Sequence, residues 1–519
     1  MRRARWLMCA CLLAGIAVQP ASADTLGNAI ADAYRNNPRL EAQRAQLRVL
    51  DEQVIQAASP YRLNVGVVAS LSYQEQVQRA GFFNDFQKFD QKMMGAAVSV
   101  SQILSTGGRT AAQLSASEAD VLSGRERLRE VENFILFEVV DSYVSVRRDS
   151  RIVAIQERSV GSYERQVQQA QARERGGDLT RVDIAQAQAQ LLIIRTSLAQ
   201  ARASLEQSRA RFAAVVGRNP GVLEPEPALP GLPTSIDTAY QIAEKESPTL
   251  WQAILNERAG RSRVAAARAE RNPTIATEGR YGYNAPASYN VRDMGRALSG
   301  VVTVTVPLIN QGVVGSQIRA AIANQQSLSF LIEDTRRNVD SALLNAWNQS
   351  ITSQDQVTNG QAAVEAAQVA LDGVRRGFAE GFRSNFEVLD SEQRLLNAQL
   401  ILANAQYSQY AGQANVLAYL GRLQAAAIDQ AVAIYDSAAN LEKQKRSQLS
   451  PFTAIVRAFD TIQVPSSRNR AAPILPPATD TTVIAAVAPP PSGPLATTLP
   501  VDPTGRPTPP EGEAPSQRR

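Results

Sequence analysis

The chain has 519 residues, a net charge of +5 and only 6% aromatic residues, and it contains no histidine. Its two cysteines, Cys9 and Cys11, lie in an N-terminal apolar run that we expect to be removed. Triads with a histidine base, histidine-ligated zinc, thiolate catalysis and disulfides are therefore excluded from the mature chain. No Gly-Lys dipeptide provides a Walker A loop, and charges of both signs alternate along the chain. We expect neither an enzyme nor a protein that binds a cofactor, a metal or nucleic acid.

The N-terminus has the pattern of a secretory signal peptide. Three arginines precede an apolar core, Trp6–Val18, and the small residues Ala21 and Ala23 suit signal peptidase. The sequence therefore predicts a signal peptide over 1–23, with cleavage between Ala23 and Asp24. The apolar core is shorter than the ~20 residues of a spanning helix. No later segment is apolar enough either, so we expect any membrane crossing to use strands.

The hydrophobic period changes several times in the first half of the mature chain. Apolar residues follow a helical spacing at first, then alternate with polar residues as in a strand, and then return to the helical spacing. The predicted elements are a helix at 24–58, a β-hairpin at 61–104, a long helix at 109–175 and a helix at 180–216, forming a first repeat over 24–220 before a linker at 221–234.

The second half repeats this order of elements. Leu26 and Pro38 recur 210 residues later as Ile236 and Pro248, and the dipeptide that begins at Gly217 recurs 204 residues later. Such self-similarity indicates a duplicated structural unit. The predicted elements are a helix from 235, a β-hairpin at 273–308, a long helix at 312–379 and a helix at 384–420, forming a second repeat over 235–422.

Two segments follow the second repeat. A short helical extension is predicted over 423–447. Fourteen of the 27 prolines lie in the last 55 residues, so we expect 448–519 to be a disordered or polyproline-like tail. A passive linker explains this tail better than a segment that binds the cell wall or a partner.

The four predicted strands are too few to cross a membrane by themselves. Even a small outer-membrane barrel needs eight strands, and a four-stranded sheet would leave two unpaired edges in hydrocarbon. Oligomerisation is therefore required if these strands span a membrane. The alternative is a periplasmic coiled-coil scaffold without a pore, with its strands in a soluble sheet.

These features resemble the TolC family of outer-membrane channel proteins over about residues 24 to 440. The strand-to-helix junction of that family is matched by Pro307–Gly312 and, in the first half, by Gln102–Gly108. Its Asp-Val-Leu-Asp element is matched by Glu387–Asp390. The resemblance implies an α+β membrane protein in which a long α-helical coiled-coil barrel, the periplasmic tunnel, continues into a transmembrane β-barrel with four strands from each chain.

The same resemblance implies a function and partners. The protein would be a homotrimer in the outer membrane of a Gram-negative bacterium, surrounded by outer-membrane lipid, with its tunnel in the periplasm. It would serve as a passive exit duct in type I protein secretion, drug efflux or both. A periplasmic adaptor would connect it to an inner-membrane transporter of the ABC or RND type.

The resemblance also implies roles for residues around the helical turns. Arg383, Glu387 and Asp390 lie at spacings that place them near one helix face, where an exposed pair of ~0.3–0.5 kcal/mol is the simpler interpretation. Phe378 replaces the tyrosine of the family. The implied roles are a periplasmic aperture ring for Glu387 and Asp390, a gate latch for Arg383, Asp183 and Phe378, and tip turns with adaptor docking for Gly176, Gly177, Gly377 and Gly381.

Overall fold

A computed structural model of the chain describes residues 24–80, 85–425, 434–447 and 451–465. The predicted signal peptide, including Ala23, and residues 466–519 of the predicted tail lie outside the described residues. The helices are α1 (Leu26–Asn36), α2 (Pro38–Ala57), α3 (Arg109–Arg175), α4 (Arg181–Val216), α5 (Ile236–Glu246), α6 (Pro248–Ala269), α7 (Val313–Ala379), α8 (Asn385–Leu420), α9 (Ala439–Ser447) and α10 (Pro451–Ile462). The strands are β1 (Asn64–Ala80), β2 (Asp85–Ser105), β3 (Thr274–Ala285) and β4 (Gly295–Thr305). None of the helices in these ranges combines the length and apolar character that crossing a membrane requires.

The duplication is visible in the lengths of the helices. The long helices α3 and α7 have 67 residues each, and the helices that follow them, α4 and α8, have 36 each. At 1.5 Å per residue, each long helix extends ~100 Å. In both repeats a short helix precedes a longer one that begins with a proline, Pro38 or Pro248. Proline suits this first position because its missing N–H has no partner there in any case.

A repeated Gly-Arg dipeptide ends the last helix of each repeat. Gly217 and Gly421 adopt positive φ angles of 92° and 74°, a conformation that favours glycine. The arginine after each glycine then reaches the first short helix of its own repeat. Arg218 pairs with Asp32 of α1 at 2.7 Å, and Arg422 pairs with Glu246 of α5 at 2.6 Å. The dipeptide thus joins the end of each repeat to its beginning.

The four strands form one antiparallel sheet in the order β1-β2-β3-β4. Pairing of β2 with β3, for example Val98 with Tyr281, joins the two repeats. Each edge strand, β1 and β4, is paired on one side only within the described residues. Both edge strands expose large apolar side chains: Val67 of β1 is 77% exposed and Leu298 of β4 is 78% exposed. An apolar sheet with two open edges associates readily with further strands.

The largest core cluster lies where the short helices of the first repeat pack against α3, α4 and α8. Tyr143 of α3 is fully buried at its centre, 6.5 Å from the ring of Phe212 between centroids. Its hydroxyl donates to the carbonyl oxygens of Asp24 at 2.9 Å and Glu224 at 2.8 Å. Burial raises the pKa of Tyr143 to about 12. The described chain therefore begins with Asp24 held in the core.

The C-terminal region differs from the prediction. Residues 434–438 are not helical, so the predicted extension over 423–447 is not one continuous helix. The predicted disorder from 448 is wrong for Pro451–Ile462, which forms α10. The prediction was based on proline content, but the enrichment begins only at Pro465, whereas Pro451 occupies a helix start, where proline is favoured. Asp460 of α10 is fully buried and fixes this helix against the end of β2.

Candidate functional site

The predicted site lies at the tips of two helical hairpins, α3–α4 and α7–α8. Gly177 and Gly381 occupy equivalent positions in the two turns, with φ angles of 84° and 85°. Gly176 has an ordinary helical conformation, with φ of −80°. Gly377 lies within α7, where a Cβ atom would be 2.8 Å from Cγ of Arg383. Gly177 and Gly381 thus set the turns, and Gly377 allows Arg383 to approach.

Replacing Gly381 with alanine is expected to destabilise its tip by about 1–2 kcal/mol, because an L side chain strains this conformation. Hydrogen exchange of the amides in the α7–α8 turn should accelerate by roughly 5- to 30-fold. Gly373 provides a matched control, since it lies exposed within α7 with no atom within 4 Å of its Cβ position. Alanine at Gly373 should slow exchange or leave it unchanged. Unchanged exchange in the Gly381→Ala variant would contradict this account of the turn.

Two of the predicted acidic residues have a structural role that was not predicted. Asp183 and Thr180 form a capping box at the start of α4, and Glu387 and Ser384 form the equivalent box at the start of α8. The Asp183 carboxylate accepts from the backbone N–H of Thr180 at 2.9 Å and from its hydroxyl at 2.7 Å. These bonds lower the pKa of Asp183. The spacing of a serine or threonine three residues before an acid is a sequence signal for this motif.

The structure brings Arg383, Glu387 and Asp390 to one end of α8, where Arg383 forms the exposed pair that its spacing from Glu387 predicts. Arg383 lies 2.8 Å from Glu387, and Arg394 lies 2.8 Å from Asp390. The guanidinium of Arg383, followed by the Ser384 backbone N–H, lowers the pKa of Glu387. Among the described residues, no ion pair joins Arg383 to Asp183. A latch between these two side chains is therefore absent within the single chain.

Phe378, the third predicted latch residue, lies buried between the hairpins. The guanidinium of Arg173, from the end of α3, is 4.3 Å from the centroid of the Phe378 ring. The same group donates to the carbonyl oxygens of Phe378 at 3.0 Å and Ala379 at 3.3 Å. Arg173 therefore supplies donors and positive charge to the C-terminal end of α7, where helix carbonyls lack partners. Nothing in the local sequence of α3 identifies this contact.

A polar cluster next to the turns connects α3 to the second hairpin. It was not predicted from the sequence. The guanidinium of Arg375 donates to the carboxylate of Glu392 and, at 2.9 Å, to the hydroxyl of Ser162. Ser162 in turn donates to Glu392 at 2.7 Å. Glu392 is nearly buried, with 9% of its side chain exposed. Its position, three residues after Leu389 and four before Leu396 of the apolar seam, is the sequence signal that marks it.

The tip is held by polar and charged contacts between the two hairpins. The described residues include no group of three or more histidine, cysteine, aspartate or glutamate side chains placed to hold a metal ion. A cavity of about 510 Å³ lies between the hairpins and is lined by Arg375, Phe378 and Glu392, among others. Of the charged groups around it, Arg375 pairs with Glu392, and Arg173 donates to backbone carbonyl oxygens at the end of α7. Together with Ser162, these contacts hold α3, α7 and α8 together.

A duplicated chain of long helical hairpins with an exposed four-stranded sheet defines a class of outer-membrane channel-forming proteins. The family model described as outer membrane efflux protein matches residues 29–218 and 239–422, which cover both repeats. The chain belongs to this family. The resemblance proposed from sequence and the α+β fold with an internal duplication are thereby confirmed, and the protein is an efflux protein of the Gram-negative outer membrane.

Individual relatives agree with this assignment. The chain is 29% identical to the outer membrane efflux protein BepC of Brucella suis over 82% of this chain and 92% of BepC. It is 23% identical to the outer membrane protein TolC of Escherichia coli, over 77% of this chain and 83% of TolC. The crystal structure of the Campylobacter jejuni CmeC outer membrane channel has a similar fold, with a TM-score of 0.68 and 16% identity over 82% of this chain and 90% of CmeC. The matched relatives are named as efflux and outer membrane proteins, and the pore-free scaffold is not favoured.

Proposed function

We propose that three copies of this chain form a passive exit duct of a tripartite export system. The carrying observation is the exposed apolar sheet with an open edge at β1 and another at β4 in the described chain. Three copies supply twelve strands, more than the eight of the smallest outer-membrane barrels, and can close the sheet without a free edge. The family resemblance implies that the oligomer contains three copies. The ~100 Å helices α3 and α7 then line a tunnel that continues from the strands into the periplasm.

The tips of the hairpins are proposed as the docking region for a periplasmic adaptor. The four glycines predicted for adaptor docking lie there, and two apolar side chains of the same region are exposed: Phe382 by 81% and Val182 by 64%. Exposed apolar groups at a protein surface commonly mark a contact site. The adaptor would connect the duct to an inner-membrane transporter of the ABC or RND type. That transporter would select the cargo, either a protein in type I secretion or a small molecule in efflux.

Glu387 and Asp390 are proposed to form the narrowest ring of the tunnel. In a trimer they contribute six carboxylates at the tips of three α8 helices, each carboxylate with an arginine one turn away. Rings of acidic side chains favour cations and bind multivalent cations tightly. Under this proposal the neighbouring arginines, Arg383 and Arg394, moderate the ring's charge. Separation of Arg383 from Glu387 would therefore accompany opening.

The purified protein is expected to form trimers and to conduct ions in planar lipid bilayers, with block by divalent or trivalent cations added at the tip side. The double variant Glu387→Gln/Asp390→Asn should weaken this block by at least about tenfold, because it removes six charges from one constriction. Glu206→Gln is the matched control, since Glu206 is also an exposed acid paired with an arginine, Arg209, but lies in α4 away from the tip. A soluble monomer without conductance would overturn the duct. Conductance with unchanged block in the double variant would overturn only the ring.

A further inference from the structure

One face of α10 carries apolar side chains that are half-exposed or more within the described part of the chain. Ile455 is 70% exposed, Phe459 49% and Ile462 84%. Their spacing of four and three residues places them on one side of the helix. The opposite side carries the fully buried Asp460. The helix therefore has an apolar surface directed away from the body of the protein.

The position of α10 is fixed at the boundary between the strands and the long helices. The carboxylate of Asp460 accepts from the backbone N–H groups of Thr106 at 2.7 Å and Gly108 at 3.1 Å, directly after the end of β2 at Ser105. It also accepts from the hydroxyl of Tyr61, at 3.0 Å, just before β1. In the proposed duct, the strands end at the periplasmic surface of the outer membrane. The apolar face of α10 therefore lies at the level of that surface.

A cavity of about 690 Å³ lies between α10 and the neighbouring helices α2, α3 and α9. Its walls are largely aliphatic, as at Leu114, but three cations line it: Arg62, Lys445 and Arg457. Only one carboxylate, that of Glu118, lies among the lining residues. Lys445 and Arg457 both approach the same oxygen of Glu118, each at 3.8 Å. The cavity thus has an excess of positive charge beside apolar walls.

Two polar atoms of the lining residues lack partners. Nε of Arg62 and the hydroxyl oxygen of Thr453 are shielded from solvent and make no hydrogen bond within the described part of the chain. A shielded donor without a partner costs free energy, so such groups normally have a ligand or a water molecule nearby. Arg62 lies two residues before β1, at the strand end of the cavity. An anion at this place would pair with Arg62 and Arg457 together.

We propose that this cavity binds an anionic phospholipid of the periplasmic leaflet, with its phosphate between Arg62 and Arg457 and an acyl chain along the aliphatic walls and α10. This inference deepens the proposed duct, because it depends on the strands crossing the membrane. A phosphate is matched by the excess of arginine and lysine. A soluble anion would leave both the aliphatic walls and the apolar face of α10 uncovered. A helix with an apolar face and basic residues is suited to the plane of a membrane interface.

Native mass spectrometry of the detergent-purified full-length protein would count bound lipid in the presence of phosphatidylglycerol, phosphatidylcholine or inorganic phosphate. Phosphatidylglycerol should bind more tightly than phosphatidylcholine of the same chain length. Arg62→Gln and Arg457→Gln should each weaken its binding about fivefold. Arg181→Gln is the control and should have no effect, since the Arg181 side chain is 95% exposed at the start of α4, by the hairpin tip. Equal affinity for the two lipids, or binding of inorganic phosphate with the same affinity, would overturn the proposal.

A second variant tests which group covers the apolar face of α10. The two candidates are a lipid and a neighbouring copy of the chain. The double change Ile455→Ser/Ile462→Ser should reduce retained phosphatidylglycerol and leave the trimer intact in crosslinking. Loss of the trimer would assign the apolar face to a subunit contact and overturn the lipid assignment. Conductance should match that of the unaltered protein in every lipid-site variant. If the wild-type protein binds the lipid but does not conduct ions, the proposed duct is wrong and the lipid site is not.

Discussion

Replacement of Asp460 by alanine is expected to release α10 from the junction between β2 and α3 and to destabilise this region by about 3–5 kcal/mol. The Asp460 carboxylate accepts from the backbone N–H groups of Thr106, Gly108 and Ala111, at 2.7, 3.1 and 3.3 Å. The residue that caps α3, Gly108, has no side chain to do so. The carboxylate therefore satisfies donors at the positive end of a 67-residue helix. Alanine would leave these buried donors without a partner.

Limited proteolysis measures this effect, because an undocked α10 exposes the chain to cleavage near Pro451. Hydrogen exchange at 106–111 should rise in the same variant. Asp460→Asn should have a smaller effect, since an amide oxygen can still accept hydrogen bonds but carries no charge. Thr461→Ala is the matched control, because Thr461 is exposed beside Asp460 on the same helix. If the proteolysis pattern of Asp460→Ala equals that of Thr461→Ala, the capping role is wrong.

Replacement of Arg375 by alanine is expected to loosen the two hairpins at the tip and to increase the conductance of the duct. The change leaves the nearly buried carboxylate of Glu392 with Ser162 as its partner and without a cation. A buried pair that loses one member costs about 3–5 kcal/mol, and the half-exposed position of Arg375, with 42% of its side chain accessible, reduces this to roughly 2–3 kcal/mol. Separation of α3 from α8 relieves the cost by admitting water to Glu392. Under the proposed duct, this packed arrangement of the tip is the closed state, and it is therefore the state that loses stability.

Single-channel conductance and hydrogen exchange at the tip measure the two consequences together. Arg376→Ala is the matched control, because Arg376 is the exposed neighbour and its Nε donates to a backbone carbonyl of its own helix, that of Asp372, at 3.2 Å. In Arg375→Ala/Glu392→Gln the unpaired charge is gone, so most of the stability should return. A rise in tip exchange without a change in conductance would show that the cluster holds the hairpins but does not limit passage. If conductance and tip hydrogen exchange in Arg375→Ala both equal the wild-type values, the cluster does not stabilise the closed state.

The sequence alone determined the order of the elements and their duplication. The single helix predicted at the start of each repeat was wrong in one respect, because a proline, Pro38 or Pro248, begins a second helix there. The order and the duplication depend on short-range patterns: a period of two in the strands, a helical period in α3 and α7, and glycine at the turns. Glycine at Gly177 and Gly381 is needed because the turns require positive φ, whatever the rest of the chain does. The number of predicted strands also indicated that the sheet has two open edges, because four strands cannot close a barrel. Local backbone and burial preferences were sufficient for all of this.

Only the tertiary structure decided which charged groups meet. Arg375 of α7 pairs with Glu392 of α8, and both contact Ser162 of α3, which is more than 200 residues away along the chain. The contact of Asp460 with Thr106 spans 354 residues, and no local period records it. Proline content therefore misled the prediction for α10, because a short apolar helix becomes stable through a buried contact that the local sequence does not contain.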